Sequence, residues 1–220
     1  IDDMLSQKII KPSQSPWASP LWVVPKKTDA SGKQKWRIVI DYRKLNNVTT
    51  GDAYPIPNIA DILDQLGHSK YFTTLDLASG FHQIPMSAKD SVKTAFSTPF
   101  GHYQYERMPF GLKNAPATFQ RLMNNVLTGL QGIKCFVYLD DIVIFANSIQ
   151  DHSNKLRDIF KRLEKHNLKL QADKCEFMRH EVSYLGHIIT ENGVKPDPSK
   201  IECIKNYPIP KNTRDIKLYS

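Results

Sequence analysis

The chain has 220 residues, of which 40% are hydrophobic and 24% are charged, and its net charge is +8. These values are ordinary for a globular protein and allow one sizeable domain or two small lobes. No run of about 18 apolar residues exists, which argues against a membrane-spanning helix. The three cysteines are widely spaced, which argues against a disulfide framework or a zinc knuckle.

The N-terminal part predicts an extended arm followed by a basic hairpin. Four prolines in residues 11–25 favour short strands or edge strands. Residues 26–44 hold seven basic and two acidic side chains, a local net charge of +5, and the turn-forming stretch TDASGKQ precedes a strand-like run. This charge permits nucleic-acid binding but does not prove it.

Two segments flank the first strand of the central motif. Residues 57–67 predict a short amphipathic helix, because apolar residues recur at i, i+3, i+4 and i+7. Residues 81–113 are rich in proline, glycine and aromatic residues and predict an insertion of short strands.

The middle of the chain predicts one compact β-α-β-β-α-β motif. Its elements are a strand, a helix, a hairpin, a helix and a strand, at residues 71–77, 115–130, 134–146, 151–167 and about 168–178. This order is that of the ferredoxin-like split motif. The predicted fold class is therefore α+β, with an antiparallel sheet and helices on one face.

The hairpin segment CFVYLDDIVIFA, residues 135–146, places Asp140 and Asp141 together in an otherwise apolar stretch. Carboxylates removed from water are costly unless something positive meets them. Asp76 ends the strand that the split motif places beside this hairpin. Converging carboxylates without His or Cys favour Mg²⁺ or Mn²⁺. Two such ions about 4 Å apart could bind the attacking and leaving oxygens of an in-line phosphoryl transfer.

A simpler interpretation of the same residues stays open at this point. Asp76 could merely cap the turn LASG, and the Asp140–Asp141 pair could be a solvated hairpin tip. The carboxylates alone do not decide between a metal site and two surface turns.

Five motifs together carry a family resemblance. In order they are WRIVIDYRKLN, YFTTLDLASGFHQIPM, KTAFSTPFGHYQYERMPFGLKNAPATFQRLMN, CFVYLDDIVIF and EVSYLGHII. Together they resemble the reverse transcriptase of gypsy-type LTR retrotransposons over nearly all of the chain. The resemblance implies a right-hand polymerase fold with fingers at about 1–51 and 83–113, a palm at about 52–82 and 114–192, and the start of a thumb at about 193–220.

The resemblance implies an RNA-directed DNA polymerase that extends a primer 3′-hydroxyl with deoxynucleotides on an RNA or DNA template. Asp76 and Asp140 match the main metal ligands of the family, and Asp141 matches the third carboxylate. They would hold two Mg²⁺ ions, for which Mn²⁺ could substitute. Lys174 matches a lysine proposed to protonate the leaving pyrophosphate, although a surface lysine is the alternative.

Seven residues are implied to contact the incoming nucleotide: Lys27, Lys35, Arg37, Leu77, Phe81, Phe110 and Leu139. Arg37 would hold the β- and γ-phosphates, which suits a planar cation, and either Lys27 or Lys35 would be the phosphate lysine. Phe81 would exclude a 2′-hydroxyl by its shape. Phe110 stands where resembling retroviral enzymes carry Gln, so only its location carries over.

The resemblance also implies partners. Tyr138 is expected at the primer end, and Tyr184, Leu185 and Gly186 match a hairpin that holds the primer. The expected partners are a template–primer duplex, deoxynucleotides and the rest of a Pol polyprotein with protease, ribonuclease H and integrase. A cytoplasmic location in virus-like particles and a dimer are also expected.

Two rival functions remain beside the polymerase. The chain could be a non-catalytic subunit that binds the template–primer while another copy performs the chemistry. An RNA polymerase that copies RNA is disfavoured by Phe81, which would exclude ribonucleotides.

Overall fold

A computed structural model describes residues 1–25, 34, 36–198 and 201–202 of the chain. It contains helices together with antiparallel sheets, which confirms the predicted α+β class. Among the residues described, no helix is both long and apolar enough to cross a membrane. Lys27 and Lys35, the two candidate phosphate lysines, lie outside the described residues.

The N-terminal part forms short elements. These are helix α1 (Asp2–Ser6), strands β1 (Ile10–Pro12), β2 (Leu21–Pro25) and β3 (Trp36–Ile40), and helix α2 (Arg43–Asn47). β2 and β3 pair antiparallel as a two-stranded sheet, as the hairpin prediction requires.

Helix α3 (Ile59–Leu66) and strand β4 (Tyr71–Asp76) follow. The side chain of Asn58 accepts a hydrogen bond from the N–H of Ala60 and caps α3 at its start. Ile62, Leu63 and Leu66 are buried, so the predicted amphipathic helix forms with its apolar face inward.

The predicted insertion contains strands β5 (Phe96–Thr98) and β6 (Gly101–Tyr105), together with a short helix α4 (Ala88–Ser91) that the sequence did not predict. β6 lies between β1 and β5 in one three-stranded sheet, so the chain's first strand is part of the same body as the insertion. A small core of Ile10, Tyr42, Phe96, Tyr103 and Tyr105 fills the space beneath it.

The central motif forms as predicted. It continues with helix α5 (Ala115–Val126), strands β7 (Cys135–Tyr138) and β8 (Asp141–Ala146), helix α6 (Ile149–Lys165) and strand β9 (Glu176–Arg179). The sheet order is β7-β8-β4-β9 and every neighbouring pair is antiparallel. This order places β4 beside the hairpin, as the split motif requires.

Two element boundaries differ from the prediction by more than two residues. α5 ends at Val126 and not at residue 130, and Gly129 and Gly132 follow with φ of 78° and 73°. Such left-handed backbone favours glycine and cannot continue a helix. β9 begins only at Glu176, because Ala172–Lys174 form a 3₁₀ turn.

The central sheet is covered on both faces. Leu75, Met123, Ile142 and Ile159 belong to the core between the sheet and the helices α5 and α6. On the opposite face lie α3 and a second sheet of strands β10, β11 and β12, which are Glu181–Tyr184, His187–Thr190 and Gly193–Pro196.

The alternation of side chains along β4 decides which layer each residue meets. Thr73 and Leu75 face the helices, whereas Phe72 belongs to the core on the side of α3, β10 and β11. Asp76 ends the strand four residues after Phe72, so its side chain points to the same face as that of Phe72. It therefore emerges on the side of β10.

Candidate active site

The sheet register places two carboxylates opposite each other. Asp76 and Asp141 are direct Cα partners at the last position of the β4–β8 ladder, and Tyr138 is the partner of Asp141 on the other side. The N–H of Leu77 donates to the carbonyl of Asp140 at 3.3 Å. Asp76 therefore lies beside residues 138–141, which we call the aspartate turn, as the topology predicted.

The turn after β4 packs closely against the aspartate turn. A Cβ placed on Gly80 would lie 3.2 Å from the Cβ of Asp140 and 3.0 Å from the Cζ of Phe119. Both separations are too short for a side chain without movement of a neighbour. Glycine in the LASG stretch is therefore what allows this approach.

The charges of Asp76 and Asp140 act on the carboxyl of Asp141. Burial, followed by the charges of Asp140 and Asp76, raises the pKa of Asp141 to about 6, against a lowering effect of Lys174. The Nζ of Lys174 lies 3.3 Å from Oδ2 of Asp76. Because the Lys174 side chain is 62% exposed, solvent screens this ion pair. The site therefore holds negative charge that a further cation would stabilise.

Carboxylate oxygens are suitable ligands for a hard divalent cation, although the side chains of Asp76, Asp140 and Asp141 are not grouped as three ligands of one ion. Within the described part of the chain, no three His, Cys, Asp or Glu side chains are grouped so that they could hold a metal ion. Asp76, Asp141 and Lys174 line a cavity of about 130 Å³, together with residues of β4 and β10. Asp140 does not line it. Few carboxylates with open positions match the way Mg²⁺ binds when substrate phosphates complete its shell.

Three aromatic rings lie next to the turn after β4. The ring centroid of Phe81 is 4.9 Å from that of Phe110 and 5.4 Å from that of Phe119. Phe119 is fully buried in α5, whereas Phe110 is 53% exposed. The structure therefore supports the Phe81 ring from behind and leaves Phe110 accessible to a ligand.

Other predicted nucleotide contacts lie in different surroundings. The side chain of Leu77 is 1% exposed and belongs to the core, so only its backbone is placed near the site. Arg37 is exposed on β3, in a different sheet from the carboxylates. Both assignments remain predictions.

The predicted primer hairpin is joined to the carboxylates through Tyr184. Its hydroxyl donates to the carbonyl of Asp141 at 3.3 Å, and its ring is 3% exposed. Leu185 and Gly186, with φ of 48° and 77°, form the tight turn between β10 and β11. The buried ring of Tyr184 leaves little surface for nucleic acid, so the turn residues are better placed for contact.

Sequence analysis did not single out Gln120 of α5. Its side chain is fully buried, and its Oε1 accepts from the N–H of Leu139 in the aspartate turn at 2.8 Å. The available signal was a glutamine next to the apolar stripe of an amphipathic helix. A buried amide has to find hydrogen-bond partners, so such a residue is a candidate for a structural contact.

Comparisons with known proteins agree with the motifs. Residues 24–189 match the family model described as "Reverse transcriptase (RNA-dependent DNA polymerase)". The "Retrovirus-related Pol polyprotein from transposon 297" of Drosophila melanogaster is 56% identical over 219 residues, which are 100% of this chain and 21% of that polyprotein. The corresponding polyprotein from transposon gypsy is 46% identical over 211 residues, 96% of this chain and 20% of its own length. The chain thus spans about a fifth of these curated relatives.

Solved structures of a foamy viral protease-reverse transcriptase are also similar. A form called dRH, in complex with double-stranded DNA, has a TM-score of 0.88 and 30% identity, and the match covers 99% of this chain and 37% of that one. A complex with an RNA/DNA hybrid has a TM-score of 0.86 and 28% identity, covering 99% and 28%. These matches confirm the predicted polymerase fold, while the division into fingers, palm and thumb stays a prediction. The chain therefore belongs to the reverse transcriptase (RNA-dependent DNA polymerase) family, and its relatives include gypsy-type transposons.

Proposed function

We propose that this chain contains the polymerase centre of a gypsy-type Pol polyprotein and extends a primer 3′-hydroxyl with deoxynucleotides on an RNA or DNA template. The observation that carries the proposal is the register that sets Asp76 opposite Asp141, with Asp140 one residue away. The family match supports it. Related structures hold double-stranded DNA or an RNA/DNA hybrid, which supports a template–primer duplex as the partner.

Asp76, Asp140 and Asp141 would hold two Mg²⁺ ions, with Mn²⁺ as a substitute. When bound, the ions would activate the primer hydroxyl and neutralise the charge that develops on the pyrophosphate. The raised pKa of Asp141 supports this assignment, because burial and the nearby charges of Asp140 and Asp76 both disfavour its ionised form, which a bound cation would stabilise. Lys174 supports the metal assignment too, because its ammonium group already lies next to the carboxylate of Asp76.

The remaining side chains would bind and select the nucleotide. Phe81 would exclude a 2′-hydroxyl, since Phe119 behind it limits how far the ring could move. The exposed ring of Phe110 would pack against the base or sugar. Arg37 and one of the two lysines, Lys27 or Lys35, would hold the phosphates.

The aspartate turn and its neighbours would complete the nucleotide and primer contacts. Leu77 would contact the nucleotide through its backbone and Leu139 through its place in the turn. Lys174 would protonate the leaving pyrophosphate, and Tyr138, Leu185 and Gly186 would contact the primer. Tyr184 would hold the primer hairpin to β8.

The setting of the activity is part of the proposal. The relatives are Pol polyproteins about five times as long as this chain, so we expect protease, ribonuclease H and integrase elsewhere in the parent protein. Function in cytoplasmic virus-like particles, and a dimer, are proposed on the same resemblance.

Primer extension tests the proposal. The chain is given a labelled primer on RNA or DNA template with deoxynucleotides or ribonucleotides, and with Mg²⁺ or a chelator. We expect extension only with deoxynucleotides and Mg²⁺. Asp140→Asn should abolish extension while duplex binding persists, and Asp64→Asn, which changes an exposed carboxylate on α3, should extend normally. Normal extension by Asp140→Asn would show that the metal assignment is wrong.

The rival non-catalytic role gives a different result in the same assay. A subunit that only binds would retain the duplex but leave the primer unextended, even with all three carboxylates intact. Adding a catalytically competent copy would then restore extension.

A further inference from the structure

The aspartate turn contains backbone in an unfavourable conformation. Leu139 has a φ of 55°, in the left-handed region that residues with a side chain rarely adopt. Only Leu139 and Asp140 separate the paired residues Tyr138 and Asp141. The direction of both aspartate side chains therefore depends on how firmly Leu139 keeps this conformation.

Gln120 contacts the aspartate turn from inside the protein. Its Oε1 accepts from the N–H of Leu139 at 2.8 Å, and its Nε2 donates to the carbonyl of Val137 at 3.3 Å. One buried amide therefore bonds to the backbone on both sides of Tyr138. Because Gln120 is 0% exposed, water cannot replace either bond.

A chain of polar side chains fixes Gln120 in turn. Its Nε2 also donates to Oδ1 of Asn124 at 3.0 Å, and Gln131 donates to the same oxygen at 2.9 Å. The amide of Asn124 donates to the hydroxyl of Tyr54 at 2.6 Å. The orientation of Gln120 is therefore set by partners outside the aspartate turn, so the amide can act as a fixed support.

We infer that Gln120 is a positioning residue, which holds Leu139 so that Asp140 and Asp141 keep one arrangement beside Asp76. The inference rests on the proposed function, because it assigns a purpose to the geometry of the carboxylates. Gln120 itself touches neither substrate nor metal. Its neighbour Phe119 supports Phe81, so adjacent residues of α5 support two parts of the same site.

Two substitutions at this position separate the hydrogen bonds from the shape of the side chain. Gln120→Met keeps the volume and loses every hydrogen bond. Gln120→Glu keeps an acceptor for the N–H of Leu139, whether or not the carboxyl is ionised. The matched control is Gln65→Met, which makes the same exchange at an exposed residue of α3, outside the chain of polar side chains that fixes Gln120.

The measurements are amide hydrogen exchange of Leu139 by NMR without metal, Mn²⁺ affinity by electron paramagnetic resonance, and kcat for primer extension. For Gln120→Met we expect about tenfold faster amide exchange at Leu139. We also expect Mn²⁺ affinity and kcat each to fall about tenfold. The free energy of one net hydrogen bond corresponds to roughly this factor. Gln120→Glu should keep slow exchange at Leu139. Gln65→Met should match the wild type in all three.

The inference is overturned if Gln120→Met keeps wild-type exchange at Leu139 and wild-type Mn²⁺ affinity. It is equally overturned if all core amides exchange faster by the same factor, because the role of Gln120 is then only global stability. Failure of the proposed function is a separate result. A wild-type chain that extends no primer would refute the activity. Amide exchange at Leu139 would still test whether Gln120 fixes the aspartate turn.

Discussion

At the scale of single residues, Asp141 reports most directly on the carboxylate cluster. Its pKa rises from 3.8 to about 6 in the folded protein. Between these values the folded state retains a proton that the unfolded state has lost, so the contribution of Asp141 to stability falls as pH rises through this window.

The substitution Asp141→Asn tests this charge without any metal. We expect the metal-free variant to be more stable than the wild type at pH 7 by about 1–2 kcal/mol, after the shift is discounted for partial exposure. Near pH 3.5 the difference should vanish. Urea unfolding at both pH values measures it, with Asp64→Asn as the control. A stability difference that does not change with pH would contradict the electrostatic account.

Phe81 is the residue that should set sugar selection. Phe81→Ala removes the ring that would collide with a 2′-hydroxyl, and we expect ribonucleotide incorporation relative to deoxynucleotide to rise about tenfold or more, which corresponds to roughly 1.4 kcal/mol of lost discrimination. Steady-state extension with each nucleotide measures the ratio. Phe100→Ala, at a ring that is 85% exposed, is the control. Unchanged selection in Phe81→Ala would exclude the proposed steric role.

The sequence identified the carboxylates but not their support. Asp140 and Asp141 stood out because charge inside an apolar hairpin is costly, and the split motif placed Asp76 beside them. Gln120 did not stand out, because one amide beside an apolar stripe looks like the edge of a helix face. The positive φ of Leu139 depends on the turn that the tertiary structure imposes, and the composition YLDD does not indicate it.

At the scale of elements, β4 is the strand on which the site depends, and Thr73 joins it to two neighbours. Thr73 Oγ1 lies 2.7 Å from Nε2 of buried His152 in α6, and it accepts from the N–H of Met178 in β9 at 3.1 Å. The β4–β9 register shifts between Phe72 and Thr74, next to this contact. The Thr73 hydroxyl therefore links the irregular pairing of β4 and β9 to α6, the helix that covers this face of the sheet.

Replacing Thr73 should destabilise the sheet. Thr73→Val keeps the shape but leaves both Nε2 of His152 and the N–H of Met178 without this partner, and we expect a loss of about 1–3 kcal/mol in the free energy of unfolding. Thr74→Val is the matched control, because Thr74 points to the opposite face and is partly exposed. Equal effects of the two substitutions in urea unfolding would show that the contacts of the Thr73 hydroxyl do not stabilise the sheet.

The elements of the split motif were predictable because their periodicity and order are both local in sequence. The arrangement of β10, β11 and β12 was not, since the strand pattern of EVSYLGHIIT does not show which face of the central sheet it covers. The burial of Tyr184 follows from that packing. Its ring lies in the core next to Asp141, and the role of its hairpin in holding the primer stays a prediction.

At the scale of the whole molecule, the central sheet lies between two layers, and the carboxylates emerge where the sheet ends. The helices α5 and α6 fix β4, β7 and β8 from one side, and α3 with the second sheet covers the other. Rigid elements thus support the aspartate turn, while the cavity beside Asp76 and Asp141 remains open to a ligand.

The central claim is that Asp76, Asp140 and Asp141 act together on divalent ions. Anomalous X-ray scattering from crystals of the chain with template–primer, an incoming nucleotide and Mn²⁺ tests it most directly. We predict Mn²⁺ peaks within about 2–2.5 Å of carboxylate oxygens from these residues. Mn²⁺ bound only elsewhere, with the Asp76 carboxylate remaining apart from the aspartate turn, would contradict the account.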